Sequence, residues 1–262
     1  ILDQWILNRL DETIMELDLQ LNAYNLPKAV ATIKPFVSDL STWYIRRSRD
    51  RVGPSATNQQ DKEVCHATMR TIFDVFSRAI APITPFISEY VYRHLTGKES
   101  VHLADYPEVG NNEVINHNLL RKMELVRKIC EIGHGLRKAE NIPVKQALSS
   151  ATIFGIDDSV SETELLQLIK DELNLENLVL KAGKDVSVKL DTQITQGLLD
   201  KGQARDLVRK IQEARKKAGC RLDEVVDLTC SAWPKSQEKE IKQKTLVRNI
   251  TLGESLKIIR NG

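Results

Sequence analysis

The sequence predicts a mainly α fold, a helical bundle followed by a smaller mixed α/β domain. Three observations carry this. Up to about residue 100, apolar side chains recur at steps of three and four, the period of one helical face. The breaks between those stretches hold turn residues, Asn25-Leu26-Pro27, Gly53-Pro54-Ser55, Pro82, Pro85 and Gly97. Beyond Tyr106-Pro107, short strand-like runs alternate with helical ones. The boundaries expected are a bundle over residues 1–105, a connecting helix and junction over 106–145 and the α/β domain over 146–262.

Taken in order, Ile6, Leu10, Ile14, Leu17 and Leu21 define the first helix. Pro27 fits the first turn of a second, whose expected stripe is Val30, Ile33, Val37, Leu40 and Tyr44. Met69, Ile72, Phe73, Phe76 and Ile80 mark a third, and Phe86 to Leu95 a fourth, ending near a capping Gly97. Four amphipathic helices on short connections pack most simply as a bundle. Residues 113–138 give another helix, with Leu120, Met123, Val126, Ile129 and Ile132 on its apolar side, stopped before Pro143. Ser150–Phe154, Leu178–Lys181 and Val186–Leu190 are expected strands, with a helix over Thr163–Leu173 capped near Ser161 or Glu162. Ile194–Ala218 is a long helix, Val225–Cys230 a strand, Gln237–Arg248 a helix and Leu256–Ile259 a closing strand. No internal repeat and no low-complexity tract is visible.

Composition narrows the function. Of 262 residues 41% are hydrophobic and 28% charged, too apolar for a disordered chain. No stretch approaches the ~20 apolar residues of a membrane span, so no membrane partner is expected. The opening ILDQWILNRLDE carries acids and lacks a signal pattern, and a cytoplasmic location is expected. The chain begins at Ile1, already inside an amphipathic repeat, as a piece of a longer protein would. Cys65, Cys130, Cys220 and Cys230 are far apart, which points to reduced thiols rather than disulfides or a zinc knuckle. The five histidines stand singly, so no metal site is expected.

Net charge is only +2, so any nucleic-acid affinity must be local. Two windows stand out. Trp43-Tyr44-Ile45-Arg46-Arg47-Ser48-Arg49-Asp50-Arg51 sets four arginines against one aspartate within six residues at a helix end. Guanidinium forks suit phosphate oxygens and stack on bases, and Trp43 and Tyr44 add aromatic faces. The plain alternative is a basic turn that complements the helix dipole. The second window, Lys201 to Arg221, holds eight basic and two acidic residues. With Ala204, Leu207, Val208, Ile211, Ala214 and Ala218 as its buried stripe, Arg205, Arg209, Gln212 and Lys216 line a neighbouring ridge. That ridge suits a phosphate backbone or serves as a solvated face. Catalytic patterns are absent. Gly133-His134-Gly135 lacks the third glycine of a phosphate loop and reads as a weak point in a helix, and Asp157-Asp158 reads as a turn.

The first window, Asp39-Leu40-Ser41-Thr42-Trp43-Tyr44-Ile45-Arg46-Arg47-Ser48-Arg49-Asp50-Arg51, resembles the signature helix of the anticodon-binding domain in isoleucyl-tRNA synthetases. Leu2 to Leu10 resembles that domain's opening helix, and Ala81 to Glu89 a stretch shared by isoleucyl, valyl and leucyl enzymes. Ser100-Val101-His102-Leu103 with Tyr106-Pro107 resembles the exit from the bundle, and Leu190-Asp191-Thr192 and Gly202 to Gly219 the C-terminal region. The ordered likeness covers roughly residues 1–220. It departs at Val144-Lys145-Gln146-Ala147-Leu148, where Arg-Gln-Pro-Leu is more usual. The lack of a C-terminal zinc site resembles the branch shared by eukaryotes, archaea and some bacteria.

The resemblance implies a tRNA-binding tail of a class I synthetase, with isoleucine-accepting tRNA as partner beside the parent chain's catalytic and editing domains. The parent reaction uses ATP and Mg. This chain has neither the His-Ile-Gly-His-like nor the Lys-Met-Ser-Lys-Ser-like pattern, so it is expected to hold no cofactor and not to catalyse alone. The tRNA-binding set expected is Arg46, Arg47, Arg49 and Arg51 with Trp43, then Arg205, Arg209, Arg215 and Lys216, with at least one of the last four buried against an acid. The alternatives are the same region of a valyl or leucyl enzyme, or a protein-docking module that meets other synthetases or scaffold proteins.

Overall fold

The computed structural model describes residues 1–108, 115–156 and 162–260, and the chain forms two compact units, Ile1–Arg121 and Lys122–Gly262. The predicted turn at Asp157-Asp158 and the alternative cap Ser161 lie outside the described residues.

Unit one is the bundle. Helix α1 (Leu2–Asn22) buries Trp5, Ile6, Leu10, Thr13, Ile14 and Leu17 along one side. Asn25 then caps α2 (Leu26–Ser38) by accepting from the Lys28 amide, with Pro27 in the first turn, where a missing N–H costs nothing. The helix does not stop at Ser38. It passes through a π-helical stretch, Asp39–Ile45, directly into α3 (Arg46–Val52), with right-handed helical dihedrals at both joins. Pro35 lies just upstream and brings no amide to the ladder, the kind of defect beside which a helix changes its hydrogen bonding. The wider turn corrects the predicted stripe. Leu40 and Tyr44 are buried as expected, but Val30 and Val37 are 50% and 42% exposed, while Ala29 and Phe36 are buried. A π turn holds an extra residue, so a 3.6-residue stripe traced back through it lands one position late.

Helix α4 (Gln59–Ile80) starts at Asn58, whose side chain accepts from the Asp61 amide, and buries Cys65, Thr68, Ile72, Phe76 and Ala79. Its Phe76 ring meets Phe36 at 4.8 Å between centroids, in a tilted aromatic contact. Helix α5 (Pro85–Thr96) packs on α4 and ends at Gly97, whose φ of 71° is the left-handed cap that glycine adopts freely. Glu89 on α5 accepts from the Val101 amide and the Ser100 hydroxyl, which ties the exit of the bundle back onto it.

Unit two repeats one topology, although its sequence shows no repeat. Helix α6 (His117–Ala139), which crosses the boundary between the units, leads to strand β1 (Leu148–Phe154), helix α7 (Thr163–Leu173) and strands β2 (Leu175–Lys181) and β3 (Ser187–Leu190). Helix α8 (Gln196–Lys217) leads likewise to β4 (Val226–Cys230), α9 (Glu238–Thr245), β5 (Val247–Leu252) and β6 (Lys257–Arg260). The sheet orders are β2-β1-β3 and β5-β4-β6, and in each the central strand is parallel to one neighbour and antiparallel to the other. Both helix pairs run side by side in one sense. Lys122 and His134 of α6 reach Glu162 and Glu172 at the two ends of α7, and Asp200 and Gln212 of α8 reach Ser236 and Lys244 at the two ends of α9. Ala204, Ile211, Val226, Leu228, Ile241 and Val247 form the core of the second copy.

Two sequence expectations need correction here. The helix expected over Gln237–Arg248 ends at Thr245, and β5, which was not foreseen, follows at once. The chain turns at Leu246 in the left-handed region, φ 53°, a place where no glycine or proline advertises a turn. Ala218, expected in the buried stripe of α8, is exposed just past its end.

Gly133 has a structural use. A Cβ there would lie 2.5 Å from Leu173 Cδ1, a side chain that is fully buried, whereas one at Gly135 would meet nothing within 4 Å. Gly133→Ala should therefore lower stability by about 1–2 kcal/mol through overpacking, and Gly135→Ala should raise it by up to about 1 kcal/mol through helix propensity. Thermal melts of the two single variants separate these outcomes.

Candidate nucleic-acid interface

Phase along the continuous helix sorts the predicted arginines. Thr42, Arg46, Arg49 and Asp50 are exposed, while Tyr44, Ser48 and Arg51 turn inward. Arg46 Nε donates to the Thr42 carbonyl at 2.7 Å, which lays the side chain along the helix. The Arg47 guanidinium carbon lies 5.8 Å from the centroid of the partly exposed Trp43 ring, within cation–π range. Arg46, Arg47 and Arg49 with Trp43 thus make a cationic, aromatic-edged face opposite the packed side of the bundle.

Arg51 does not belong to that face. It donates to both carboxylate oxygens of Asp3, at 2.9 and 2.7 Å, and to both of Asp61, at 2.9 and 2.8 Å. The Tyr44 hydroxyl donates to the same Asp3 at 2.5 Å and contacts Cys65 Sγ at 3.7 Å. Burial pushes the Tyr44 phenol up and its hydrogen bond to Asp3 pushes it further; the hydrogen bonds that Arg51 donates to Asp3 and Asp61 hold it charged. At Asp3 burial opposes ionisation, but the hydrogen bonds from Arg51 and Tyr44 prevail and keep its carboxyl below the usual range. The inward position of Asp39 is fixed in the same manner, by Arg9 of α1 at 3.0 Å. Sequence spacing could not have shown this, because Asp3 lies 48 residues from Arg51.

The second set divides too. Arg205, Arg209, Gln212 and Lys216 form an exposed ridge on α8. Arg209 is shared with Glu213 at 3.3 Å and Asp206 at 3.8 Å. Asp206, bridged by Lys145 and Lys210, is held down at about 2 by those hydrogen bonds. Arg215 is only 4% exposed and donates to the carbonyls of Arg221 and Leu222. It is buried against backbone oxygens rather than an acid, and it does not present its guanidinium to a ligand. The two sets belong to different units, and each is a surface by itself.

With the bundle and its cationic face in view, comparison with known proteins gives the class. Residues 3–152 match the family described as the anticodon-binding domain of tRNA ligase, more than half of the chain, and the chain belongs to that family. More particularly, it is 38% identical over 182 residues to the isoleucine–tRNA ligase of Chlamydia caviae and 34% identical over 182 residues to that of Chlamydia pneumoniae. Each alignment takes in 68% of this chain and 17% of the relative. The isoleucine–tRNA ligase of Dehalococcoides mccartyi is 29% identical over 97% of this chain and 28% of its own length. The chain therefore spans under a third of these relatives.

The Asp3 network gives a pH prediction. A carboxyl whose folded pKa lies below its unfolded value, about 3.9, stabilises fully above that value and loses its contribution as pH falls through the folded one. Asp3→Asn should cost about 2 kcal/mol at neutral pH, as expected for charge-assisted bonds in a partly buried site. Its loss relative to the unchanged chain should shrink as pH is lowered from about 5 to 2. Urea titrations across that range measure both effects.

Proposed function

We propose that this chain is the tRNA-binding portion of an isoleucine–tRNA ligase, working in the cytoplasm beside the catalytic and editing domains of a longer chain. It grips the anticodon stem-loop of isoleucine-accepting tRNA. The observation that carries the proposal is the face of exposed Arg46 and Arg49 with the partly exposed Arg47 and Trp43, on a bundle that belongs to the anticodon-binding family. The isoleucine assignment is supported by the relatives, each an isoleucine–tRNA ligase. RNA loops suit such a face, since unstacked bases can lie against aromatic and guanidinium planes while phosphates meet the charges.

The test is a titration of the chain with isoleucine tRNA, an anticodon-swapped version, and valine and leucine tRNAs at one salt concentration. Preference for the native anticodon is expected. Arg46→Ala with Arg47→Ala should weaken binding about tenfold, in line with loss of two cationic contacts, with an unchanged circular dichroism spectrum. Undiminished binding by that folded variant would remove the arginine face from the interface.

A further inference from the structure

Helix α1 carries a second apolar stripe that the bundle core does not use. Met15 and Leu19, one turn apart, are 53% and 59% exposed, while Ile14 and Leu17 on the packed side are buried. The stripe lies in a groove of about 750 Å³, which Pro35 of α2 and Ile115, just before α6, also line. The Asn116 amide donates to Asn8 Oδ1 on α1 at 2.6 Å, which holds Ile115 beside that helix. All of these residues belong to unit one.

The charges along the groove favour one sign. At about 100° per residue, Glu12 and Glu16 fall on one side of the stripe and Asp18 on the other. Among the described residues that line it, Arg9 is the only Lys or Arg, and it is engaged by Glu12 and, at 3.0 Å, by the buried Asp39. Glu16 and Asp18 are exposed, and neither forms an ion pair among the described residues. Exposed apolar surface gains from being covered, whereas RNA phosphates or anionic lipids would meet like charge here. A polypeptide helix with one apolar and one basic face answers both demands.

We propose that this groove docks a basic amphipathic helix from a partner protein. The helix sets its apolar side chains on Met15 and Leu19 and carries lysines or arginines opposite Glu16 and Asp18, as in other helix-in-groove complexes. Met15 suits the task, since an unbranched thioether adapts to the shape of what covers it. The proposal goes beyond the tRNA reading and does not rest on it.

The test uses the full chain and a labelled synthetic helix of about four turns, with leucine and lysine at helical spacing, followed by fluorescence anisotropy. A leucine–glutamate counterpart and a scrambled leucine–lysine peptide are the controls. The leucine–lysine helix should bind, less tightly as salt rises, and both controls should bind about tenfold more weakly or not at all. Met15→Gln with Leu19→Gln should lower affinity about tenfold, and Glu16→Gln with Asp18→Asn about threefold with a shallower salt dependence. All four side chains are exposed, so both variants should keep the circular dichroism spectrum and the tRNA affinity of the unchanged chain. Arg46→Ala with Arg47→Ala should leave peptide binding intact. A leucine–lysine helix that does not bind, undiminished binding by either groove variant, or equal binding of the leucine–glutamate helix would overturn the proposal. Loss of tRNA affinity in a folded groove variant would assign the groove to RNA and overturn it as well. A chain that binds the peptide but no tRNA would instead defeat the tRNA reading alone.

Discussion

A guanidinium buried among carbonyl oxygens is the constraint on which unit two turns. Arg137, 1% exposed, donates from Nη1 to the carbonyls of Pro143 and Gln146 and from Nη2 to those of Leu173 and Asn174. Burial disfavours its charge and the nearby Arg205 adds to that, so its pKa is lowered, yet the five-donor fork fits where no other side chain could bind both loops. It sits at the negative end of α6 and joins three separate stretches of chain, the helix, the turn before β1 and the end of α7. Asn174 reinforces the same turn by donating to Val144 and Lys145. The departure from the family pattern at residues 144–148 falls in this turn and the start of β1, where Lys145 donates to Asp206, Gln146 donates to the Leu198 carbonyl, and Ala147 and Leu148 are buried.

Unit one solves a related problem with ions. Arg51, Asp3, Asp61 and Tyr44 tie the end of α3 to the starts of α1 and α4. Its charges are paired and hydrogen-bonded, so the cost of partial burial is met locally. This leaves α3 rigidly seated, and the neighbouring Arg46 and Arg49 project from a fixed base rather than from a loose helix end. One basic run thereby supplies both the bolt and the surface.

Much of the fold was legible because it depends on local periodicity. The buried side of α1, the Gly97 cap and the Thr163–Leu173 helix all follow from spacing and end signals within a few residues. What escaped depends on something non-local or on unusual backbone. The π stretch displaced the stripe of α2, Leu246 turned left without a glycine, and the repeated topology of unit two has no counterpart in sequence periodicity. The cationic windows were visible as composition. Which arginine faces solvent was not, because Asp3 and the carbonyls around Arg215 are assembled only by folding.

The π stretch also makes the presented surface a matter of counting. Each residue advances an α-helix by about 100°, so the extra residue in the Asp39–Ile45 turn sets the azimuth of everything after it. An insertion or deletion of one residue there would leave every arginine in place along the chain and carry the whole set to another side of the rod. In this segment length is under tighter geometric control than chemistry, and relatives that keep the same face must keep the same number of residues between Phe36 and Arg46.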